Sequence, residues 1–321
     1  MSRSPLQSAF RQALLVAAFA TAFTALPATA AVKAPTSISA VTFTTAKTRF
    51  IEVDGDRLAY RRFGKHEGIP LVFFQHFVGN LDSWDPKVID GFAHHRVVIL
   101  FDNAGVAGSG GEVPTNIEGM AKYAIDLLKA LNISKADLLG FSMGSLVAQE
   151  VTFERPDLVR RLVLVGSAPR AAVGMTPLTP EFQAVIAKKR EVPETLLLDA
   201  FFTASPASQK AGHAFLERLH ARTVDRDVNI NEKVAPAQIA AFAAWGKPSP
   251  DALPYLKSIK QPVLVVSGSN DIIHYPVNSF TLQQNLPNAE LIIYPDSNHG
   301  SLYQYPELFL ANVTTFLNQS N

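Results

Sequence analysis

Short apolar runs alternate with stretches of helical spacing along most of the chain. Residues 50–53 and 58–63 read as two strands flanking Asp54-Gly55, a pair that favours a tight hairpin turn. Residues 71–74, 96–101, 136–141 and 162–165 are brief and almost wholly apolar. Such runs fit strands covered on both faces, as in a parallel sheet. Residues 117–131 and 143–154 have apolar positions at helical spacing and lie between those runs. From about Arg170 to Pro254 helical periodicity dominates, for example over 182–189 and 211–221, and no strand-like run occurs. Alternation then resumes with a strand at 263–266, a helix at 277–286, a strand at 291–294 and a closing helix at 308–317. This order predicts a doubly wound, mostly parallel sheet over residues 49–169 and 255–321, with a helical cap inserted at 170–254.

The first 30 residues follow another pattern. Arg3 and Arg11 precede a 14-residue apolar run, 13–26, and Ala28-Thr29-Ala30 follows Pro27. A cationic start, a short apolar stretch and a small-x-small site predict a signal peptide over 1–30, cleaved after Ala30. The run is too short to cross a hydrocarbon core of about 30 Å as a helix. Residues 31–48, rich in Ala, Thr, Ser and Lys, read as a flexible leader. Cleavage would remove two arginines and no carboxylate, turning 29 cationic against 28 acidic side chains into 27 against 28. A near-neutral chain without a concentrated basic stretch argues against a nucleic-acid partner. No second segment suggests stable membrane association after cleavage. The chain has no cysteine, which excludes a disulfide framework, a thiol nucleophile and a thiolate metal site. Export without cysteine predicts a periplasmic or secreted protein held together by its core. The oligomeric state is not legible.

The chemistry concentrates in Gly140-Phe141-Ser142-Met143-Gly144, a G-x-S-x-G pattern between a strand-like and a helix-like segment. That context is a sharp strand-to-helix turn presenting the serine hydroxyl. A serine needs a base to take its proton, and the base needs an orienting carboxylate, in chain order serine, acid, histidine. Among 8 histidines, His299 lies in the loop after the last strand, at the sheet edge where Ser142 sits. Asp271 follows the 263–266 strand on that same edge, whereas the 162–165 strand ends in Gly166-Ser167 with no carboxylate. Asp296, too close in sequence to His299, reads as a turn residue. Two backbone N–H groups are expected to form an oxyanion hole, those of Met143 and, in the loop after the 71–74 strand, Phe77. Asp102, directly after the 96–101 strand, is a further carboxylate whose role the strand pattern leaves open. Phe182, Leu196, Phe201, Phe202, Phe215, Phe242 and Trp245 supply the cap's apolar residues and read as core rather than pocket.

From residue 50 to 318 the chain resembles the α/β-hydrolase superfamily, and looks closest to its cap-bearing esterase and haloperoxidase-like (perhydrolase) members. The matching features are Gln75-His76-Phe77 through Trp84, Asp102-Asn103-Ala104-Gly105, the serine turn, Gly268 to Asp271, and His299-Gly300. The resemblance implies that fold, a Ser142, Asp271 and His299 triad, an oxyanion hole at Phe77 and Met143, a structural loop-anchor role for Asp102, and neither cofactor nor metal. The family loop usually reads His-Gly, and Phe77 in its place narrows the acyl pocket while keeping the backbone donor. Val106-Ala107 is a second departure, in a packing position. The expected function is hydrolysis of small to medium apolar carboxylic esters or lactones through an acyl-enzyme, with perhydrolysis open to some relatives. C–C bond hydrolysis, aminopeptidase activity and a triad-bearing ligand-binding protein are the alternatives. The proline-specific peptidases usually carry a His-Gly-Gly loop that 75–80 lacks. Dehalogenases and epoxide hydrolases carry aspartate at the serine position.

Overall fold

The computed structural model describes residues 41–65, 68–192 and 194–320. The expected signal peptide and most of the leader lie outside these. Eight strands form one sheet: β1 (Arg49–Val53), β2 (Asp56–Gly64), β3 (Leu71–Phe74), β4 (Val97–Phe101), β5 (Ala136–Phe141), β6 (Val159–Val165), β7 (Val263–Gly268) and β8 (Ala289–Tyr294). Their spatial order is β1-β2-β4-β3-β5-β6-β7-β8. The β1–β2 hairpin is antiparallel, β2 runs antiparallel to β4, and all pairings from β4 to β8 are parallel.

Neighbouring residues of the central strands enter opposite cores. Leu138, Val263 and Val265 pack on one face, and Leu139, Leu264 and Val266 on the other. Both faces are therefore dry, which is why these strands read as continuous apolar runs. The first face is covered by α2 (Ile117–Ala130), α3 (Met143–Glu154) and α8 (Pro276–Asn285), and the second by α1 (Pro86–Ala93), α9 (Ser301–Gln304) and α10 (Pro306–Asn318). The inserted region carries α4 (Pro180–Ala187), α5 (Thr195–Phe201), α6 (Pro206–Leu219) and α7 (Val234–Trp245), and no described residue there is in a strand.

Two local expectations change, and one helix stands where none was expected. The strand expected at 162–165 begins at Val159, because Asp137, fully buried, accepts two hydrogen bonds from Arg160 (2.8 and 2.5 Å), and an arginine so paired can stand in a strand. Helix α1 carries no clear signal in the pattern, being eight residues long with Gly91 inside it. The leader was expected to be flexible through residue 48, yet its last part is fastened to the fold. Phe43 is buried and donates its N–H to Asp90 (2.6 Å), while Arg222 of the cap region donates to the carbonyls of Phe43 (2.6 Å) and Ala46 (2.8 Å).

The turn from β5 into α3 is set by a close approach of backbones. A β-carbon on Gly144 would lie 2.0 Å from the carbonyl oxygen of Phe74, so the first turn of α3 rests directly on the end of β3. Any side chain at this position would push apart the two elements that frame Ser142.

Candidate active site

Ser142 stands at that turn with φ 54° and ψ −125°, outside the wells that L-residues ordinarily occupy. Such a backbone costs on the order of 1–3 kcal/mol and persists only where its surroundings over-determine it. Here its N–H donates to Val165 at the end of β6 (2.9 Å), and its carbonyl accepts from the N–H (2.8 Å) and hydroxyl (2.5 Å) of Ser145. Behind Ser145 a buried chain continues through Ser167 (2.7 Å) and Gln149 (3.0 Å) to the hydroxyl of Tyr255 (2.8 Å). None of these four residues is distinguishable in the sequence from ordinary polar positions.

Asp271 follows β7 and His299 follows β8, and the parallel strands bring both loops to the edge that carries Ser142. His299 Nδ1 lies 2.8 Å from Asp271 Oδ2, with both side chains fully buried. The bond assigns the ring proton to Nδ1, so Nε2 is left as a bare acceptor, and it has no partner among the described residues. The other carboxylate oxygen of Asp271 accepts the N–H groups of Ile273 and His274, each at 2.9 Å. Burial pushes the Asp271 carboxyl up, but the His299 ring and these donors outweigh it and hold it below the usual range. Asn298 joins the two loops: its Oδ1 accepts the N–H of Ile272 and of His299, each at 2.9 Å. Its only signal in the sequence is its place beside His299.

The end of β6 is vacant in a stronger sense than lacking a carboxylate. Gly166 has φ +53°, and a β-carbon there would stand 2.8 Å from His299 Cε1 and 2.9 Å from Nδ1. Gly166→Ala is therefore expected to displace the imidazole and to lower kcat/KM of any reaction that uses it as a base by about 100-fold. A variant within threefold of wild type in steady-state assays would show that the ring has room to spare.

Met143 opens α3, where no intrahelical acceptor exists, and Phe77 lies in the loop after β3. Neither backbone N–H meets an acceptor among the described residues. The cap steadies the Phe77 loop, since Gln238 of α7 accepts the N–H of Val78 at 2.7 Å. A cavity of about 30 Å³, lined in part by Gln75, His76, Asp102, Met143 and Gly144, adjoins this loop and has room for about one water. Asp102 and the cap's Asp227 both accept the N–H of Leu81 (2.9 and 3.2 Å), and burial and the Asp227 carboxylate push Asp102 well above the usual range. Asp102 thus fastens loop to cap. Asp296 stands in a turn (φ 45°) and accepts the cap hydroxyls of Thr203 (2.7 Å) and Ser205 (2.5 Å).

Phe201 is buried as expected and Phe242 packs half-buried against the core, and each also lies against an imidazole at the site. Phe201 packs 5.9 Å from the His299 ring, and Phe242 stacks on His274. Phe202, Phe215 and Trp245 are buried as expected. Two further imidazoles lie here. Burial lowers His76 and His274 to about 4 each. The ordinary value, 6.5, applies to the unfolded chain, which therefore takes up protons first as the pH falls. The stability gained by keeping these rings neutral is complete above that value and is lost as the pH drops toward 4, by about 3 kcal/mol per ring. Urea unfolding between pH 7.5 and 4.5 is expected to show this decline, and a flat profile would contradict it.

The profile of the α/β-hydrolase fold family matches residues 69–306. The chain belongs to the α/β-hydrolase fold family. A solved α/β-hydrolase fold protein from Chitinophaga pinensis is 40% identical, superposes with a TM-score of 0.82, and is matched over 87% of this chain and 100% of its own. A non-heme chloroperoxidase of Streptomyces lividans is 27% identical over 282 residues, covering 82% of this chain and 97% of the relative. A poly(3-hydroxyalkanoate) depolymerase of Ectopseudomonas oleovorans is 26% identical over 273 residues, 84% and 92% of the two chains. Like the α/β-hydrolase sheet it was expected to form, the observed sheet is mostly parallel. Among the described residues, no helix is long and apolar enough to cross a membrane, and no cluster of three or more His, Asp or Glu is placed to hold a metal ion.

Proposed function

We propose that this α/β-hydrolase is a serine hydrolase of carboxylic esters or lactones with small to medium apolar acyl groups. The observation that carries the reading is the buried Asp271–His299 bond of 2.8 Å, with Nε2 unfilled, on the sheet edge that carries the strained Ser142. Ser142 Oγ attacks the carbonyl carbon while His299 Nε2 takes the hydroxyl proton. Asp271 stabilises the resulting imidazolium and keeps the ring in its tautomer. The N–H groups of Phe77 and Met143 receive the developing oxyanion, and a donor in that role contributes about 10²–10³ in rate. The imidazolium then protonates the leaving alkoxide. Water, deprotonated by the same nitrogen, releases the acid and restores the serine. Phe201 and the ring of Phe77 surround the acyl group with apolar surface, and a depolymerase acting on a polyester among the relatives agrees with ester chemistry.

A fluorophosphonate probe is expected to label the wild-type protein stoichiometrically at Ser142, and p-nitrophenyl esters of short acids to be turned over. A folded protein that takes up no label and hydrolyses no ester would overturn the proposal.

A further inference from the structure

Helix α7 of the cap is apolar along its 12 residues except at Gln238, the one side chain there with an amide, hydroxyl or charge. Gln238 is nonetheless buried. A backbone N–H can only donate, so the 2.7 Å bond from Val78 places the Gln238 amide oxygen against the loop that carries Phe77. That loop closes on itself, the N–H of Gly79 donating to the carbonyl of His76 (3.1 Å). Of the two central residues only Val78 has a positive φ, 49°, which is the pattern of a type II turn. The position favours glycine, and a β-branched residue there is under strain. The relaxed alternative is a type I turn, reached by flipping the peptide between Phe77 and Val78. Both polar groups of that peptide are held. The Phe77 carbonyl accepts from His76 Nδ1 (2.8 Å), and the Val78 N–H donates to Gln238. Flipping the peptide reverses both groups and breaks both bonds. Gln238, His76 and Gly79 line the same cavity of about 30 Å³ as Met143 and Gly144, so turn, cap helix and the start of α3 meet at one place.

We propose that Gln238 is a positioning residue for the oxyanion hole: it holds the 76–79 turn in its strained form and thereby keeps the Phe77 N–H where the developing oxyanion needs it. The inference rests on the serine-hydrolase reading and adds that the hole is complete only while cap helix α7 lies against the loop. Gln238 acts through the turn. Once its acceptor is lost the peptide flips, the Phe77 α-carbon turns with it, and the N–H is displaced. A misplacement of about 1 Å at a reacting centre is enough to cost about 100-fold.

The test is a double-mutant cycle on p-nitrophenyl butyrate, with circular dichroism as the check on folding. Gln238→Leu keeps the bulk and removes the acceptor, and Gln238→Ala replaces it should the leucine variant fail to fold. In an otherwise wild-type chain kcat is expected to fall about 30-fold, with KM changed by about threefold or less. Glycine adopts a positive φ without help, so beside Val78→Gly the same substitution is expected to cost about threefold or less in kcat. A loss from general packing would be the same in both backgrounds. The inference is overturned if kcat of the Gln238 variant stays within about threefold of wild type, if the loss falls on KM, if it is undiminished beside Val78→Gly, or if Val78→Gly alone abolishes turnover. Each of these leaves the hydrolase reading intact. Absence of both turnover and fluorophosphonate labelling in the wild type means that the hydrolase reading has failed, and this inference falls with it.

Discussion

Ser142→Ala is expected to lower kcat for p-nitrophenyl butyrate by about 10⁴-fold or more, with a melting temperature within a few degrees of wild type. The size of the loss follows from the role. Without Oγ there is no acyl-enzyme, and water must attack directly. The oxyanion donors at Phe77 and Met143 survive, because they are backbone groups, so a residual rate above the uncatalysed one is expected rather than zero. Stability should change little. The substitution removes one hydroxyl whose oxygen makes no hydrogen bond among the described residues, and alanine meets the same backbone strain as serine. The strained turn is held by contacts that do not involve the Ser142 side chain: the Val165 carbonyl, the Ser145 donors and the approach of Gly144 to Phe74. Retention of more than a tenth of the activity would show that the nucleophile lies elsewhere.

Asp271→Asn is expected to cost about 10⁴-fold in kcat with the histidine still in place. The carboxylate accepts from His299 on one oxygen and from two backbone N–H groups on the other. Those two donors would hold the asparagine carbonyl, leaving its NH₂ facing His299 Nδ1. The ring would then move its own proton to Nε2, where it can no longer accept one from Ser142. The imidazolium would also lose its buried counter-charge. Asp296→Asn is the matched control, since Asp296 serves cap hydroxyls, and its kcat should stay within a few-fold of wild type. If the two variants behaved alike, the acid would be misassigned. Steady-state kinetics on the purified proteins, with circular dichroism as the check on folding, decides between them.

The position of each catalytic candidate along the chain was legible because it depends on local pattern. Apolar runs covered on both faces mark the strands, and Ser142, Asp271 and His299 each follow one directly. In a parallel sheet every such loop opens on the same edge, so chain order alone predicts one edge for all three. Position after a strand did not set Asp102 and Asp296 apart, since both also follow one; closeness in sequence to His299 set aside Asp296, and the family resemblance set aside Asp102.

What the sequence by itself determined was thus the sheet, the insertion and which side chains are candidates for the chemistry, since these follow from periodicity and from residue types a few positions apart. Only the tertiary structure decided the supports. Asn298 bridges two loops, Gly166 is small because His299 lies against it, and Arg222 reaches back to Phe43 across the chain. The same holds for Phe201 and Phe242, whose helical spacing suits core and pocket equally, and for Gln238, whose partner is a backbone N–H 160 residues away. The physical reason is that hydrophobic periodicity records which face of an element is dry. It does not record which atom from a distant segment comes to rest within 3 Å of it, and at an active site that distance sets the chemistry.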